Sequence, residues 1–392
     1  MNLDRRSLIR LLVLSGLSAA CARAVRRPSG PDFNPGDRRR FDFIRVRGSY
    51  REIGRRLGAA FKDRIRESLR RRAAWMDSLR ATAQSARGGA YSDELRRLTR
   101  LHFPFVLDEI EGMAEGAGMD FGLLWLLAVQ CEMESMRENP DACSTLFFRN
   151  TSAAWLFHNE DGNGAYGDLM AVAHVVPPTG VEFISMLYPG VPAGVGPSLN
   201  GRGIIQTTNY LGSTHTVAGV PRYALSRAAL EAKTLKEALQ IAAFTPRAYP
   251  CHHNLASAGE GRYVSIEATP EGHALAEPTS LYVHTNHILP GAAGTYPYEE
   301  QVYRAKSSVS RYEVIMAALK TLDLKNARAE DFLKILSSHK RAPYSPCRHP
   351  RGDVAGLTLG TASYDIRRGA FRLYKGNPCH SVPQGAFTDY AF

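Results

Sequence analysis

The chain reads as α+β rather than doubly wound α/β, because its helices and strands come in runs instead of alternating. Helical spacing dominates from Ser49 to Glu134, apolar alternation begins after Cys143, and the two patterns then return in blocks. Gly/Pro turns such as Pro177-Pro178-Thr179-Gly180 separate the strand-like segments. No repeat and no linker interrupts residues 41–392, which read as one domain.

Taken in order, residues 1–21 carry Asp4-Arg5-Arg6-Ser7-Leu8-Ile9-Arg10 ahead of the short apolar run Leu11 to Ala20, too short to cross a bilayer. This resembles a bacterial twin-arginine export signal. Small residues lead to Cys21, a possible lipidation point, with an uncleaved anchor beside the membrane as the alternative. The expectation is an exported protein, periplasmic or held as a lipoprotein, touching the membrane only if Cys21 carries lipid. Residues 22–40 hold Pro28, Pro31, Pro35, Gly30 and Gly36 and read as a disordered linker.

Phe41 to Ile44 reads as a first strand. Ser49 and Glu52 then form an S-x-x-E capping box. Behind it Ile53, Leu57, Phe61, Ile65 and Leu69 recur every fourth residue, one apolar stripe on a long helix, with Gly54 and Gly58 allowing close packing beside it. Helices follow at Ser92 to Phe103, Val106 to Glu115 and Asp120 to Glu134, and Glu138 to Ala142 is a loop. Ser144 to Phe148 and Ala153 to His158 flank the turn-like Arg149-Asn150-Thr151-Ser152 and predict a hairpin. Strands are expected at Leu169 to Val176, Phe183 to Tyr188, Gly203 to Thr207, Asn254 to Ala258, Tyr263 to Thr269 and Leu281 to Thr285. Helices are expected at Tyr223 to Leu230, Thr234 to Phe244, Ser307 to Thr321 and Ala327 to Ser338, and a closing hairpin at Leu357 to Asp365 and Phe371 to Lys375.

The formal net charge of +11 comes from an arginine-rich chain. Its densest run, Arg64 to Arg72, has Ile65 and Leu69 at helical spacing, as a solvated helix face would. With no zinc finger or RNA-binding aromatic signature beside it, the charge does not indicate a nucleic-acid partner. No P-loop and no G-x-G-x-x-G opening a helix is present, so nucleotide hydrolysis and dinucleotide redox chemistry are unsupported.

Chemistry concentrates between Cys143 and Asp161. A hairpin brings its ends together, so a thiol and the Asn159-Glu160-Asp161 carboxylates become neighbours. Read alone, a cysteine at a strand start is better explained as a small buried hydrophobe. A Cys-Ser start, a hairpin and Asn-x-Asp ending eighteen residues after the cysteine resemble the penicillin acyltransferase family of N-terminal-nucleophile cysteine hydrolases. Further segments resemble it in order: Val46 to Ile65 with its core Gly48 to Gly54, Ser198-Leu199-Asn200-Gly201-Arg202-Gly203 with Thr207-Thr208-Asn209, Ile266 to Pro270, Thr285-Asn286-His287, Ser307 to Tyr312, and the tail segments Cys347-Arg348-His349 and Gly376 to Cys379.

The resemblance implies a four-layer αββα sandwich and self-cleavage between Ala142 and Cys143, leaving two associated fragments. It implies catalytic roles for Cys143 as nucleophile, Asn286 as oxyanion donor, Asp161 as support of the amino-thiol pair and Arg311 as a positioning cation. Asn209 and Glu160 are implied at the substrate. The chain departs from the pattern at Ala142, where the family usually has glycine, and at Glu160, where an aromatic is common. The activity expected is a cysteine amidohydrolase or acyltransferase working on a small-molecule amide or acyl thioester, without a cofactor. The alternative is an exported binding protein that kept the fold and lost processing.

Cys251-His252-His253, His284-x-x-His287, Cys347-x-His349 and Cys379-His380 are potential metal ligands, but none has the spacing that marks a metal site by itself. No metal is expected from them. Cys347 and Cys379 are the one pair suggested for a disulfide.

Overall fold

The computed structural model describes residues 33–34, 39–134, 143–213, 217–289, 306–352 and 354–392. The export signal, Cys21, most of the linker and the loop from Glu138 to Ala142 lie outside the described residues.

In chain order come β1 (Phe33–Asn34) and β2 (Asp42–Arg47), then α1 (Tyr50–Arg71), α2 (Ala73–Gln84), α3 (Ala86–His102), α4 (Pro104–Ala117), α5 (Phe121–Ala128) and α6 (Gln130–Glu134). The hairpin β3 (Ser144–Arg149) and β4 (Ala154–Asn163) follows, then β5 (Ala171–Val176), β6 (Phe183–Leu187), β7 (Ser198–Asn200) and β8 (Ile204–Tyr210). After α7 (Arg222–Ala229) and α8 (Leu235–Ala242) come β9 (Cys251–Ser257), β10 (Arg262–Thr269), β11 (Gly272–Ala276) and β12 (Leu281–His284). The chain closes through α9 (Lys306–Leu319), α10 (Ala329–Leu336), β13 (Gly356–Asp365), β14 (Ala370–Lys375), α11 (Pro378–Ser381) and β15 (Phe387–Tyr390).

The strands form two sheets, a nine-stranded one in the order β1-β2-β5-β6-β7-β8-β9-β10-β11 and a six-stranded one in the order β12-β3-β4-β13-β14-β15. They pack face to face. Phe147 of β3 stacks on Tyr263 of β10 with ring centroids 4.2 Å apart, and Tyr364 of β13 donates its hydroxyl to the Ser198 carbonyl of β7 at 3.1 Å. Outside the larger sheet, Ile53, Leu57 and Phe61 of α1 bury against Val46, Ala173 and Phe183, while Leu235, Ala238 and Ala242 of α8 cover Leu255, Val264 and Ile266. Outside the smaller sheet, Ile315 and Leu319 of α9 and Phe332 and Leu336 of α10 cover Leu146, Phe148, Phe157 and Val283. Helix, sheet, sheet, helix is the expected sandwich. Each buried side chain of this size contributes about 1.5–3 kcal/mol, so the four layers are held chiefly by apolar burial.

The capping box at α1 is present: the Ser49 N–H reaches Glu52 Oε2 at 2.8 Å, and Ser49 Oγ accepts from the Glu52 N–H at 3.3 Å. Gly54 and Gly58 meet α4 so closely that a Cβ at either would collide with the carbonyls of Glu109 or Met113. Gly112 and Gly116 face back against Arg51 and Arg55 in the same way. The two helices therefore touch backbone to backbone.

Several expectations need correction. The segment expected as one helix from Asp120 to Glu134 is two, with Val129 in a non-helical conformation between α5 and α6. The expected helix at Ser92 begins earlier, at Ala86, where Ser85 caps it by accepting from the Gly88 N–H at 3.0 Å. Helix α2 and strands β11 and β15 were not expected at all. Most important for function, β4 does not stop at His158 but continues through Asn159, Glu160 and Asp161 to Asn163, all paired with β13.

Candidate active site

The register of the hairpin sets the site. Ser144 pairs with Asn159 and Thr145 with His158, which places Cys143, just before β3, opposite Glu160. Cys143 is 4% exposed, and Asn159, Glu160 and Asp161 are equally buried. The Cys143 thiol lies 3.8 Å from Glu160 Oε1 and 3.9 Å from the Asp161 carbonyl oxygen. Glu160 is fixed from both sides. Tyr188 donates its hydroxyl to Oε1 at 2.6 Å, and His158 Nε2 is 3.2 Å from Oε2 while its Nδ1 meets Thr145 Oγ1 at 2.8 Å.

The backbone of Cys143 is held as firmly as its thiol. Its N–H donates to Asn286 Oδ1 at 2.8 Å, and its carbonyl accepts from Arg311 Nη1 at 2.5 Å. Arg311 also donates Nη1 to Ser144 Oγ at 2.9 Å and Nη2 to Asn286 Oδ1 at 2.7 Å. One guanidinium thus ties the start of β3 to the end of β12, using the rigid fork that lysine lacks. Two donors converging on Oδ1 fix the orientation of the Asn286 amide, so its nitrogen faces the other way, donating to the Tyr210 carbonyl at 2.9 Å. An amide nitrogen carries two protons, and one remains for another acceptor. Ser308 anchors the whole corner: its Oγ accepts from the Asn286 N–H at 2.6 Å and lies 2.7 Å from both Thr285 Oγ1 and His287 Nδ1.

Asp161 takes a different place from the one its sequence position suggests. Alternation along β4 turns its side chain to the face opposite Glu160. There Oδ1 accepts from Thr358 Oγ1 at 2.6 Å, and Oδ2 is buried without a hydrogen-bond partner. Burial pushes the Asp161 carboxyl up to about 7, against the pull of Arg348 and Arg311 and the Thr358 hydrogen bond, with Glu160 adding to the rise. Burial likewise brings Arg311 down to about 10, with Asp161 opposing, so the guanidinium stays cationic. Asp161 therefore reaches Cys143 through the field it shares with Arg311, not by touching the thiol.

Asn209 is brought to the same interior from β8. Its Oδ1 accepts from Thr145 Oγ1 at 3.0 Å and Asn254 Nδ2 at 2.9 Å, and lies 2.9 Å from His252 Nδ1. Its Nδ2 is buried and has no hydrogen-bond partner, a donor held ready for an acceptor. The structure thus assembles Cys143, Glu160, Asn286 and Arg311 directly, with Asp161 behind Arg311 and Asn209 beyond Thr145. Sequence reasoning missed Tyr188, His158, Thr358 and Arg348. Only Arg348 had a signal, standing in the Cys347-Arg348-His349 segment.

Among the described residues, Cys143, His158 and Glu160 bring donor atoms within 4.8 Å of one another, as do His339, Cys347, His349 and Cys379. The first group's donors are engaged in the hydrogen bonds just described. Cys347 and Cys379 are free thiols, not the suggested disulfide.

Residues 148–380 match the family model described as acyl-coenzyme A:6-aminopenicillanic acid acyl-transferase, a span that contains Glu160, Asp161, Asn209, Asn286 and Arg311 and begins just after Cys143. The chain belongs to this family, whose chemistry is acyl transfer and amide hydrolysis. It is 23% identical over 371 residues to a β-alanyl-dopamine/carcinine hydrolase of Drosophila melanogaster, covering 86% of this chain and 93% of that protein. Two solved structures of conjugated bile acid hydrolase from Clostridium perfringens also match, each of a form carrying a single substitution. One has a TM-score of 0.39 and 11% identity over 64% of this chain and 97% of its own. The other has a TM-score of 0.40 and 12% identity over 59% and 89%. At that level they carry no weight beside the chain's own geometry.

Proposed function

We propose that the protein is a self-processing cysteine amidohydrolase of small linear amides, with acyl thioesters as possible acyl donors, working through an acyl-Cys143 intermediate. The observation that carries this reading is Cys143 held at three points: its thiol by Glu160, its N–H by Asn286 and its carbonyl by Arg311.

In the uncut chain Cys143 has no free amino group, and among the described residues Glu160 brings a carboxylate within reach of its thiol. Glu160 takes the thiol proton, and the sulfur attacks the Ala142 carbonyl carbon. The C–N bond to Cys143 then breaks as its nitrogen receives that proton. That step frees the α-amino group, and water then hydrolyses the resulting thioester, releasing the Ala142 carboxylate and the Cys143 thiol. With an ordinary pKa of about 7.7–8.0, this amine then serves as base for its own thiol. Asn286 Oδ1, already the acceptor of the Cys143 N–H, orients the amine.

In turnover the thiolate attacks the substrate carbonyl, and the second Asn286 Nδ2–H, with the unpartnered Asn209 Nδ2 nearby, answers the developing oxyanion. The leaving amine takes a proton from the α-ammonium, and water releases the acid. Arg311 positions the Cys143 backbone and Asp161 sets its field. The Drosophila relative is named for β-alanyl substrates, so β-alanyl amides are the first class to try.

The test is rapid-quench mass spectrometry of processed protein with a β-alanyl amide, a simple acyl amide and an acyl thioester. An acyl mass on the fragment beginning at Cys143, with amine release, is expected. Binding of these compounds without an adduct or product would instead mark a binding protein that kept the fold.

A further inference from the structure

Beyond the active site, four side chains from three separate parts of the chain converge where β13 begins and β14 ends in the smaller sheet. His339 follows α10, Cys347 and His349 lie in the loop before β13, and Cys379 sits in α11. His349 Nε2 is 3.2 Å from His339 Nε2, 3.6 Å from Cys347 Sγ and 3.4 Å from Cys379 Sγ. All four donor atoms lie within 4.8 Å of one another. A neutral imidazole nitrogen has either one lone pair or one N–H, so hydrogen bonding serves one of these neighbours and not three. A cation at the centre serves all of them.

We propose that His339, Cys347, His349 and Cys379 form a structural zinc site. Zinc bonds thiolate sulfur at about 2.3 Å and imidazole nitrogen at about 2.0–2.1 Å, tetrahedrally, which places S and N ligands about 3.5 Å apart and two N ligands about 3.3 Å apart. The three separations above fall within about 0.2 Å of those values. Two thiolates and two neutral imidazoles also leave the dication with no net charge, which suits a half-buried position. Cys347 is buried, His349 and Cys379 are intermediate and His339 is exposed, so the ion has a way in.

The surroundings are built to hold the sulfur. Asn377 Nδ2 lies 3.6 Å from Cys347 Sγ while donating to the Arg348 carbonyl at 2.6 Å, and the Cys347 N–H donates to the Ser338 carbonyl at 3.0 Å. The sequence offered Cys347, His349 and Cys379 as potential ligands but not His339, and the four together follow none of the usual spacings. The site would also serve the catalytic centre. Arg348 lies between two of the ligands, and its N–H donates to Thr358 Oγ1 at 2.9 Å, the same hydroxyl that donates to Asp161. Zinc would clamp this segment on both sides of Arg348.

The test is metal analysis of full-length protein purified without chelators, beside the Cys379→Ser, His339→Ala and Cys143→Ala variants. About one zinc per chain is expected in the wild type and in Cys143→Ala, lost in Cys379→Ser and reduced in His339→Ala. Since Cys379→Ser could fail to fold, the wild type is also titrated with a mercurial thiol reagent and the released zinc read with a chromogenic chelator. Its cobalt-exchanged form should show the thiolate charge-transfer and intense visible bands of a tetrahedral sulfur–nitrogen site. Metal-free protein with a Cys347–Cys379 disulfide, metal-free protein with free thiols, or zinc lost from Cys143→Ala and kept in Cys379→Ser would each overturn the proposal.

Discussion

Asp161 gives the sharpest quantitative prediction. Its carboxyl is raised by burial to about 7 in the folded chain, while in the unfolded chain it titrates near about 3.9. Between those values the folded state holds a proton that the unfolded state has released, so stability falls as pH rises through this window. Each pH unit is worth about 1.36 kcal/mol, so from about pH 5 to the folded value near 7 the loss is about 2–3 kcal/mol. Asp161→Asn removes the titration. The amide can still accept from Thr358, and it places an NH₂ where Oδ2 has no partner, a cost that does not depend on pH. The informative quantity is therefore a double difference, taken in the Cys143→Ala background so that both proteins are uncut. Relative to its parent, Cys143→Ala/Asp161→Asn should gain about 2–3 kcal/mol in going from about pH 5 to about pH 8, or roughly 3–4 °C of Tm for a chain of this length. Calorimetry or denaturant titration at the two pH values measures it. A double difference near zero, or of opposite sign, would refute the reading of Asp161 as a buried carboxyl that ionises near neutrality.

Asn286→Ala in processed enzyme should lower kcat roughly 10²–10³-fold with little change in KM, because the donor acts on charge present only in the transition state. A rise in KM alone would mean that Asn286 binds substrate instead. Arg311→Lys keeps the charge but loses the fork, so processing should slow markedly, read as the uncut fraction on a gel over time. Unchanged cutting would remove Arg311 from the positioning role. Replacing Arg5 and Arg6 with lysine should leave the protein inside the cell; unchanged export would count against the twin-arginine route and leave the enzyme reading intact.

The fold was legible wherever periodicity and local chemistry agreed. The stripe from Ile53 to Leu69 with its Ser49–Glu52 cap, and the alternating halves of the β3–β4 hairpin, follow from residues close in sequence. What was illegible has physical causes. Asn159-Glu160-Asp161 reads as a polar loop, yet it lies inside β4 because Leu336, Pro346, Thr361, Tyr188 and Thr358 hydrogen-bond its side chains from distant parts of the chain. The Cys251-His252-His253 start of β9 was missed for the same reason, since His252 and His253 are buried among Asn209, Ser265 and Ser226. Strand β11 lies at a sheet edge with alternate side chains exposed, and a weak apolar signal is what an edge allows. The position of Asp161 behind Arg311 depends on strand alternation across a register known only after folding.

The bond between Ala142 and Cys143 is where the proposed mechanism meets its most direct test. Intact-mass measurement and N-terminal sequencing of protein purified from its own compartment should find two chains held together, one beginning Cys-Ser-Thr-Leu. Cys143→Ala should stay whole. A wild-type chain that remains uncut and yet turns over an amide at full rate would contradict the mechanism.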